Sequence, residues 1–336
     1  MILVTGGTGL VGSHLLYFLL KEKTQHIRAL HRKSSDIESV MSIFRHYTQA
    51  EKAEKLFNQI EWFEADITNL PELEKAFVGI TQVYHCAAFV SFNPSDFDKL
   101  KKINVEGTAN IMNLCIDFKI EKCCFVSSIA TLSKKPEQLL ADENSYWDPN
   151  EKNSAYSLTK YGAEMEAWRA TQESLDVVIV NPGVILGISP NRQESSIVAT
   201  LKNRKNIPFY TSGGNGFVDV RDVVKIMTAL MKLPIKNERF VLVGENADYK
   251  SFLMKFANVF NKKPPKRKIS RLPLNILNQI EWVSHLIFRN RRKLSKDLIR
   301  SLYTNRKYDN SKIVNLLDYR FISLDETFQH LKEHSK

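Results

Sequence analysis

The 336-residue sequence predicts an α/β fold: a doubly wound parallel sheet, followed by a smaller, mostly helical C-terminal lobe. Three observations predict it. Strand-like apolar runs alternate with helical patterns through the first half. Those runs are apolar throughout, as parallel strands covered on both faces must be. After residue 185 the rhythm changes, and residues 250–336 read as mostly helical.

Taken in order, "MILVTG" is a strand, and in "LVGSHLLYFLL" Val11, Leu15 and Leu19 recur on one helix face. "HIRALHR" is the second strand, followed by a long amphipathic stretch at 37–58, the strand "IEWFEAD" and a short helix near 70–78. Next come "QVYHCAA", a helix at 104–118, "KCCFVSS", a helix at 155–173 and "DVVIVNPG". Beyond these, "GISPNRQESS" reads as loop, 195–204 as helix, "GNGFVDVRDVVKIMTALMK" as strand then helix, and "RFVLVG" as a last strand. The expected division assigns 1–185 plus about 216–245 to the doubly wound domain and about 186–215 plus 246–336 to the smaller lobe.

Composition narrows the function classes. Hydrophobic residues at 43% and charged residues at 25% suit a folded chain with a large core. Four cysteines, two of them the neighbours Cys123 and Cys124 in an apolar run, suit buried thiols rather than disulfides or zinc. Without a signal-peptide pattern or a run of eighteen apolar residues, the expectation is a cytoplasmic protein. The net charge of +11 gathers late, in "KKPPKRKISR" and "RNRRKLSK", and reads as a solvated basic face with no nucleic acid partner. Contact of "LPLNILNQIEWVSHLIFRNRRK" with a membrane surface is the alternative to packing on the lobe.

In "VTGGTGLVGSH", Gly6, Gly9 and Gly12 follow a strand and open a helix, the setting a dinucleotide site requires. Gly6 permits the tight turn, Gly9 the approach of a pyrophosphate, and Gly12 the packing of helix on strand, with Thr8, Leu10 and Val11 between them. The helix N-terminus offers free N–H groups and partial positive charge to phosphate. At the end of the second strand His31 stands where an acid would select NAD, followed by Arg32 and Lys33, which suit a 2′-phosphate. The cofactor expected is therefore NADP(H); NAD(H) is the alternative, because Asp36 arrives late, as a helix cap. Asp66 and Ile67 stand where adenine sits, Asp66 being alternatively a helix N-cap, and the small Ala87 and Ala88 let the cofactor lie against the backbone.

"YSLTK" puts Tyr156 and Lys160 on one helix face, where an ammonium favours the phenolate and tunes it for proton transfer. Ser128, preferred over Ser127 and Thr131, ends a strand at the carboxyl edge, where ligands bind. Asn104 either caps a helix or supports a proton-relay water. Phe89, Phe92, Trp147 and Phe209 either line an apolar pocket or pack in the core.

The segments "TGGTGLVG", "DITN", "HCAA", "NVEGTAN", "VSSIA", "YSLTK", "NPGVILG" and "FVDVRDVV", in this order over about residues 1–245, resemble the extended short-chain dehydrogenases/reductases of the NAD(P)-dependent epimerase/dehydratase superfamily. The resemblance implies a Rossmann sheet, a Ser128–Tyr156–Lys160 catalytic triad with Lys160 also holding the nicotinamide ribose, Asn181, Pro182, Gly183 and Val184 beside the nicotinamide, and a homodimer. "NPGVILG" and "YDNSKIVNLLDYRFISLDETF" resemble the dihydroflavonol-reductase, ketoreductase and 3β-hydroxysteroid dehydrogenase branch, which implies reduction of a carbonyl on a small organic substrate. Two departures are Cys86 in "HCAA" and Asp318, where that branch usually has glycine. A nucleotide-sugar epimerase, with Arg192, Arg204 or Arg271 on the diphosphate, is the rival reading, and a non-catalytic NADP sensor the lesser one.

Overall fold

The computed structural model describes all residues except 23–25, 134–137, 191–195, 289–293 and 335–336. The first half runs β1 (Ile2–Thr5), α1 (Leu10–Lys21), β2 (Ile27–His31), α2 (Met41–Tyr47), α3 (Ala50–Phe57), β3 (Ile60–Glu64), α4 (Leu70–Phe77), β4 (Gln82–His85), α5 (Phe97–Leu100), α6 (Gly107–Asp117), β5 (Lys122–Val126), α7 (Ala155–Thr171) and β6 (Val177–Pro182). The second half runs β7 (Val184–Leu186), α8 (Ser196–Asn203), β8 (Phe209–Tyr210), β9 (Gly214–Asp219), α9 (Val220–Lys232), β10 (Glu238–Leu242), β11 (Glu245–Asp248), α10 (Tyr249–Val259), β12 (Arg267–Lys268), α11 (Arg271–Phe288), α12 (Lys296–Tyr303), α13 (Ser311–Leu317) and α14 (Leu324–Glu333).

Seven strands form one parallel sheet in the order β10-β6-β5-β4-β1-β2-β3. The order reverses between β1 and β4, and a crevice at the strand carboxyl ends opens at such a switch point. Side chains alternate between faces along each strand. Ile2 and Val4 of β1, with Val178 and Val180 of β6, join one buried cluster with Leu15, Phe44 and Val223. Leu3, Val177 and Ile179 join the opposite cluster with Phe77, Ile111 and Ala163. The doubly wound sheet read from the sequence is the sheet observed.

At Gly183 the chain leaves the large sheet. β7 pairs with β9, which pairs antiparallel with β11, making a three-stranded sheet. Behind it Phe217, Phe252, Phe256 and Phe328 form the core of the C-terminal part. Three helices there have side-chain caps: Asp248 for α10, Ser295 for α12, and a reciprocal Ser323–Glu326 capping box for α14.

Two helical expectations change. The stretch 37–58 is not one helix: extended Thr48 and Gln49 separate α2 from α3, although Asp36 does receive the Ser39 amide at 3.1 Å, as a cap should. The helix expected over 104–118 begins earlier, at Phe97, and passes through a π-helical segment, Lys101–Glu106, before α6. Among the described residues no helix is long and apolar enough to cross a membrane.

Candidate functional site

A cleft of about 520 Å³ opens at the carboxyl ends of the strands. Gly6, Gly9, Leu10, Val11 and Gly12 line it from the first turn, Ser128, Tyr156 and Lys160 from β5 and α7, and Pro182, Gly183 and Val184 from the end of β6.

The glycine loop fits a pyrophosphate. Gly6 has φ +68°, which glycine adopts without strain. A Cβ on Gly12 would lie 2.2 Å from the Gly6 carbonyl oxygen, so the turn closes only on a bare α-carbon. Helix α1 starts from Gly9 with no side chain bonded to its first turn. The first-turn amides of a helix have no intrahelical acceptor and favour an anion.

Farther out, Arg32 and Lys33 follow β2 with exposed side chains, in a turn held by Arg32 N–H to Ser35 Oγ at 3.1 Å and Ser35 N–H to Arg32 O at 2.8 Å. Thr8 sits in the β1–α1 turn. Asp66 is not the N-cap of α4, a position Asn69 occupies; its Oδ1 instead accepts from the Thr68 amide (2.9 Å) and hydroxyl (2.8 Å). Ile67 is buried against Gly107. Ala87 lies against Gly6 and donates its N–H to Thr5 Oγ1 at 3.1 Å, while Ala88 reaches the cleft. Cys86 also lines the cleft, and burial pushes its thiol up to about 12, so it remains a thiol near neutral pH.

Helix α7 starts at Ser154, whose Oγ accepts the Ser157 amide at 3.1 Å. Tyr156 therefore stands in the first turn at the cleft wall, with Lys160 one turn below. Burial raises the Tyr156 phenol above its ordinary value, opposed by a hydrogen bond with the Ser128 side chain. This corrects the expected lowering by Lys160. The Lys160 Nζ turns to the Val126 carbonyl at 2.8 Å and lies 4.6 Å from the centre of the Phe125 ring. Burial pulls the Lys160 ammonium down to about 8, with the Glu164 carboxylate opposing. Ser128 Oγ accepts the Ala130 amide at 3.1 Å. Ser127 is committed elsewhere, donating to Glu164 Oε2 at 2.5 Å, and Thr131 is buried with its hydroxyl 2.8 Å from the same oxygen.

Asn104 is neither a helix cap nor a lining residue of this cleft. It lies inside the π-helical segment, accepts the Phe89 N–H on Oδ1 at 2.8 Å and donates Nδ2 to Phe89 O at 3.0 Å and Thr159 Oγ1 at 3.3 Å. It thus ties the β4–α5 loop to α7. Of the expected aromatic residues Phe92 lines the cleft, its ring 5.9 Å from Tyr156. Trp147 instead stacks on Tyr161 at 4.5 Å, Phe209 is half exposed on β8, and Phe89 lies under the Lys99 ammonium.

Sequence reasoning missed two groups. One is Glu164, fully buried, whose carboxylate gathers Ser127, Thr131, Asn181 Nδ2 (2.9 Å) and Arg239 (2.9 Å) one turn along α7 from Lys160. Its spacing of four from Lys160 was the available signal. The other is the rim from α12 and the following loop, with Arg300 and Arg306 in the cleft wall. Arg300 pairs with Asp297 at 3.3 Å and Arg306 with Glu151 at 3.0 Å. Arg204 and Arg271 do not line the cleft, Arg271 packing over the Tyr303 ring at 5.1 Å, and Arg192 lies outside the described residues.

Comparison with known proteins agrees with this geometry. Residues 2–244 match the model of the NAD dependent epimerase/dehydratase family. The chain is 32% identical over 296 residues to a Synechocystis sp. protein named "Putative dihydroflavonol 4-reductase", covering 84% of this chain and 78% of that protein. It is 23% identical over 363 residues to 3beta-hydroxysteroid-dehydrogenase/decarboxylase isoform 1 of Arabidopsis thaliana, covering 99% of this chain and 80% of that one. The crystal structure of gox2253 superposes with a TM-score of 0.80 at 23% identity, covering 99% of this chain and 98% of its own. The Bordetella bronchiseptica enzyme WbmG, crystallised with NAD and UDP, gives 0.73 at 16% identity, covering 99% and 94%, a likeness of fold. The chain therefore belongs to the NAD-dependent epimerase/dehydratase family, and is an NAD(P)-dependent oxidoreductase of the extended short-chain dehydrogenase/reductase type.

Proposed function

We propose that this protein interconverts a carbonyl and a secondary alcohol on a small organic substrate, using NADP(H). The observation that carries the reading is the convergence of Ser128, Tyr156 and Lys160 on one cleft with the glycine loop and the 182–184 segment. The bound dinucleotide supplies hydride transfer; the chain supplies the rest. Gly6, Gly9, Gly12 and the first-turn amides of α1 hold the pyrophosphate, and Arg32 with Lys33 receives the 2′-phosphate. Ser128 fixes the substrate oxygen by hydrogen bonding. Tyr156, held above its ordinary pKa by burial, is a protonated phenol at neutral pH and gives its proton to that oxygen in reduction; the reverse reaction uses the same groups. Lys160 sits one turn below as the ribose ligand and local cation. The apolar Val90 and Phe92 face the same space as Arg300 and Arg306, suiting an aromatic or alicyclic body with a polar end.

The test is to identify the nucleotide that the purified protein binds and to follow NADPH oxidation against a panel of ketones. Tyr156→Phe is expected to lower turnover by about 100-fold or more while nucleotide affinity is kept. Arg32→Ala is expected to narrow the preference for NADPH over NADH by about tenfold. Tightly retained NAD with no ketone reduction would overturn the reading, and an unchanged nucleotide preference in Arg32→Ala would overturn the 2′-phosphate assignment.

A further inference from the structure

We infer that His46, His330 and His334 form a site for a divalent transition metal of the zinc class, bridging α2 to the C-terminal helix α14. His330 and His334 are one turn apart on α14, His334 being its C-cap, and His46 lies in the last turn of α2. The three rings meet with centroids 4.7 Å (His46–His330), 4.1 Å (His46–His334) and 4.8 Å (His330–His334) apart. One ring nitrogen of each lies within 4.8 Å of the other two, and the Nε2 atoms of His46 and His330 are 2.8 Å apart. Zinc–nitrogen bonds of about 2.0–2.1 Å in a tetrahedron place the ligand nitrogens about 3.3 Å from one another. Small ring rotations close that gap.

The ligand set selects the ion. Three imidazoles without thiolate or carboxylate suit Zn²⁺, Co²⁺, Ni²⁺ or Cu²⁺ rather than Mg²⁺ or Ca²⁺. Three ligands leave one tetrahedral position for water. The cation facing the trio is Arg221, and its charge is already engaged by the Asp219 carboxylate at 2.7 and 2.9 Å. His14 also faces the trio, but its ring is committed to the Tyr47 hydroxyl (2.6 Å) and the Ile188 carbonyl (2.8 Å). A hydrogen bond between His46 and His330 accounts for two converging imidazoles; a metal accounts for three. None of the three lines the cleft, so the ion would sit apart from the proposed reaction centre. α2 is anchored through Phe44 in the core of the large sheet, and α14 through Phe328 in the C-terminal core. The ion would tie those two cores together.

The test uses chelator-treated full-length protein titrated with Zn²⁺ and with Co²⁺ as a visible probe. One equivalent is expected to bind, with a cobalt ligand-field band and a rise of several degrees in Tm. His334→Ala, at an exposed helix end, is expected to weaken binding at least about tenfold and remove the Tm shift, with dinucleotide affinity unchanged. His330→Ala is the second variant, expected to do the same. Wild-type binding no tighter than in both variants would overturn the site, and binding without a Tm shift would overturn the bridging role.

Discussion

Lys160 holds its charge under strain. Its side chain is 2% exposed, and burial brings its pKa from 10.5 to about 8. The folded protein therefore carries the full desolvation penalty below about pH 8. Between there and 10.5 the folded chain has lost the proton and the unfolded chain still holds it, so the penalty fades as pH rises. Lys160→Met is expected to raise stability at pH 7 by about 1–3 kcal/mol, and the gain is expected to shrink toward pH 10. Denaturant titration of both proteins across that range checks it, and equal midpoints at pH 7 would refute it. The same substitution should abolish turnover if Lys160 has the role proposed for it above. Tyr156 and Lys160 were legible in the sequence because they are four residues apart and share a helix face. Glu164's role was not, because its partner Arg239 lies 75 residues away and only the fold brings them together.

The end of α13 shows what one backbone conformation can require. Asp318 caps this helix with φ 47° and ψ 48°, the left-handed region. Glycine enters that region freely and other residues at a cost of about 1 kcal/mol. The sequence resemblance expected glycine there, and the structure supplies the reason. Asp318 is exposed, so Asp318→Gly removes little but the strain. The expected gain is at most about 0.5 kcal/mol, after allowing for the freer unfolded chain, read as a slightly higher Tm with unchanged nucleotide binding. A lower Tm would show that the carboxylate contributes more than the backbone costs. Elements with a clear local pattern, such as α1, α9 and the inner strands, were legible for the same local reasons. The two-residue strands β8 and β12 and the polar β11, "ENAD", were not. Such strands have too few side chains to show a period, and pairing alone defines them. The π-helical segment before α6 also leaves no mark in apolar spacing.

Acid stability depends on the whole molecule. His14 and His85 are buried on different elements, and burial lowers them to about 4 and about 3. In the unfolded chain both bind protons near pH 6.5, so each contributes stability that is present above that pH and lost as pH falls. Asp222, pushed up to about 6 by burial, works in the opposite sense, gaining its proton in the folded state first. The net effect of these three groups is a loss of about 1.4 kcal/mol per pH unit between pH 6 and 4. Urea titrations at stepped pH check this, and His85→Gln should flatten the slope. The doubly wound sheet and the glycine loop were legible at this scale. The small second sheet was not, because its strands come from separate stretches of chain. One junction with the large sheet is a single residue: β6 ends at Pro182, β7 begins at Val184, and the Gly183 N–H is fixed to the Leu242 carbonyl at 3.0 Å. The floor of the cleft thus has no slack to absorb insertions, whereas the rim at Arg300–Tyr308 belongs to a separate helix and loop. An evolving or engineered catalyst of this architecture can exchange its rim to accept new substrates while its reaction centre stays in register.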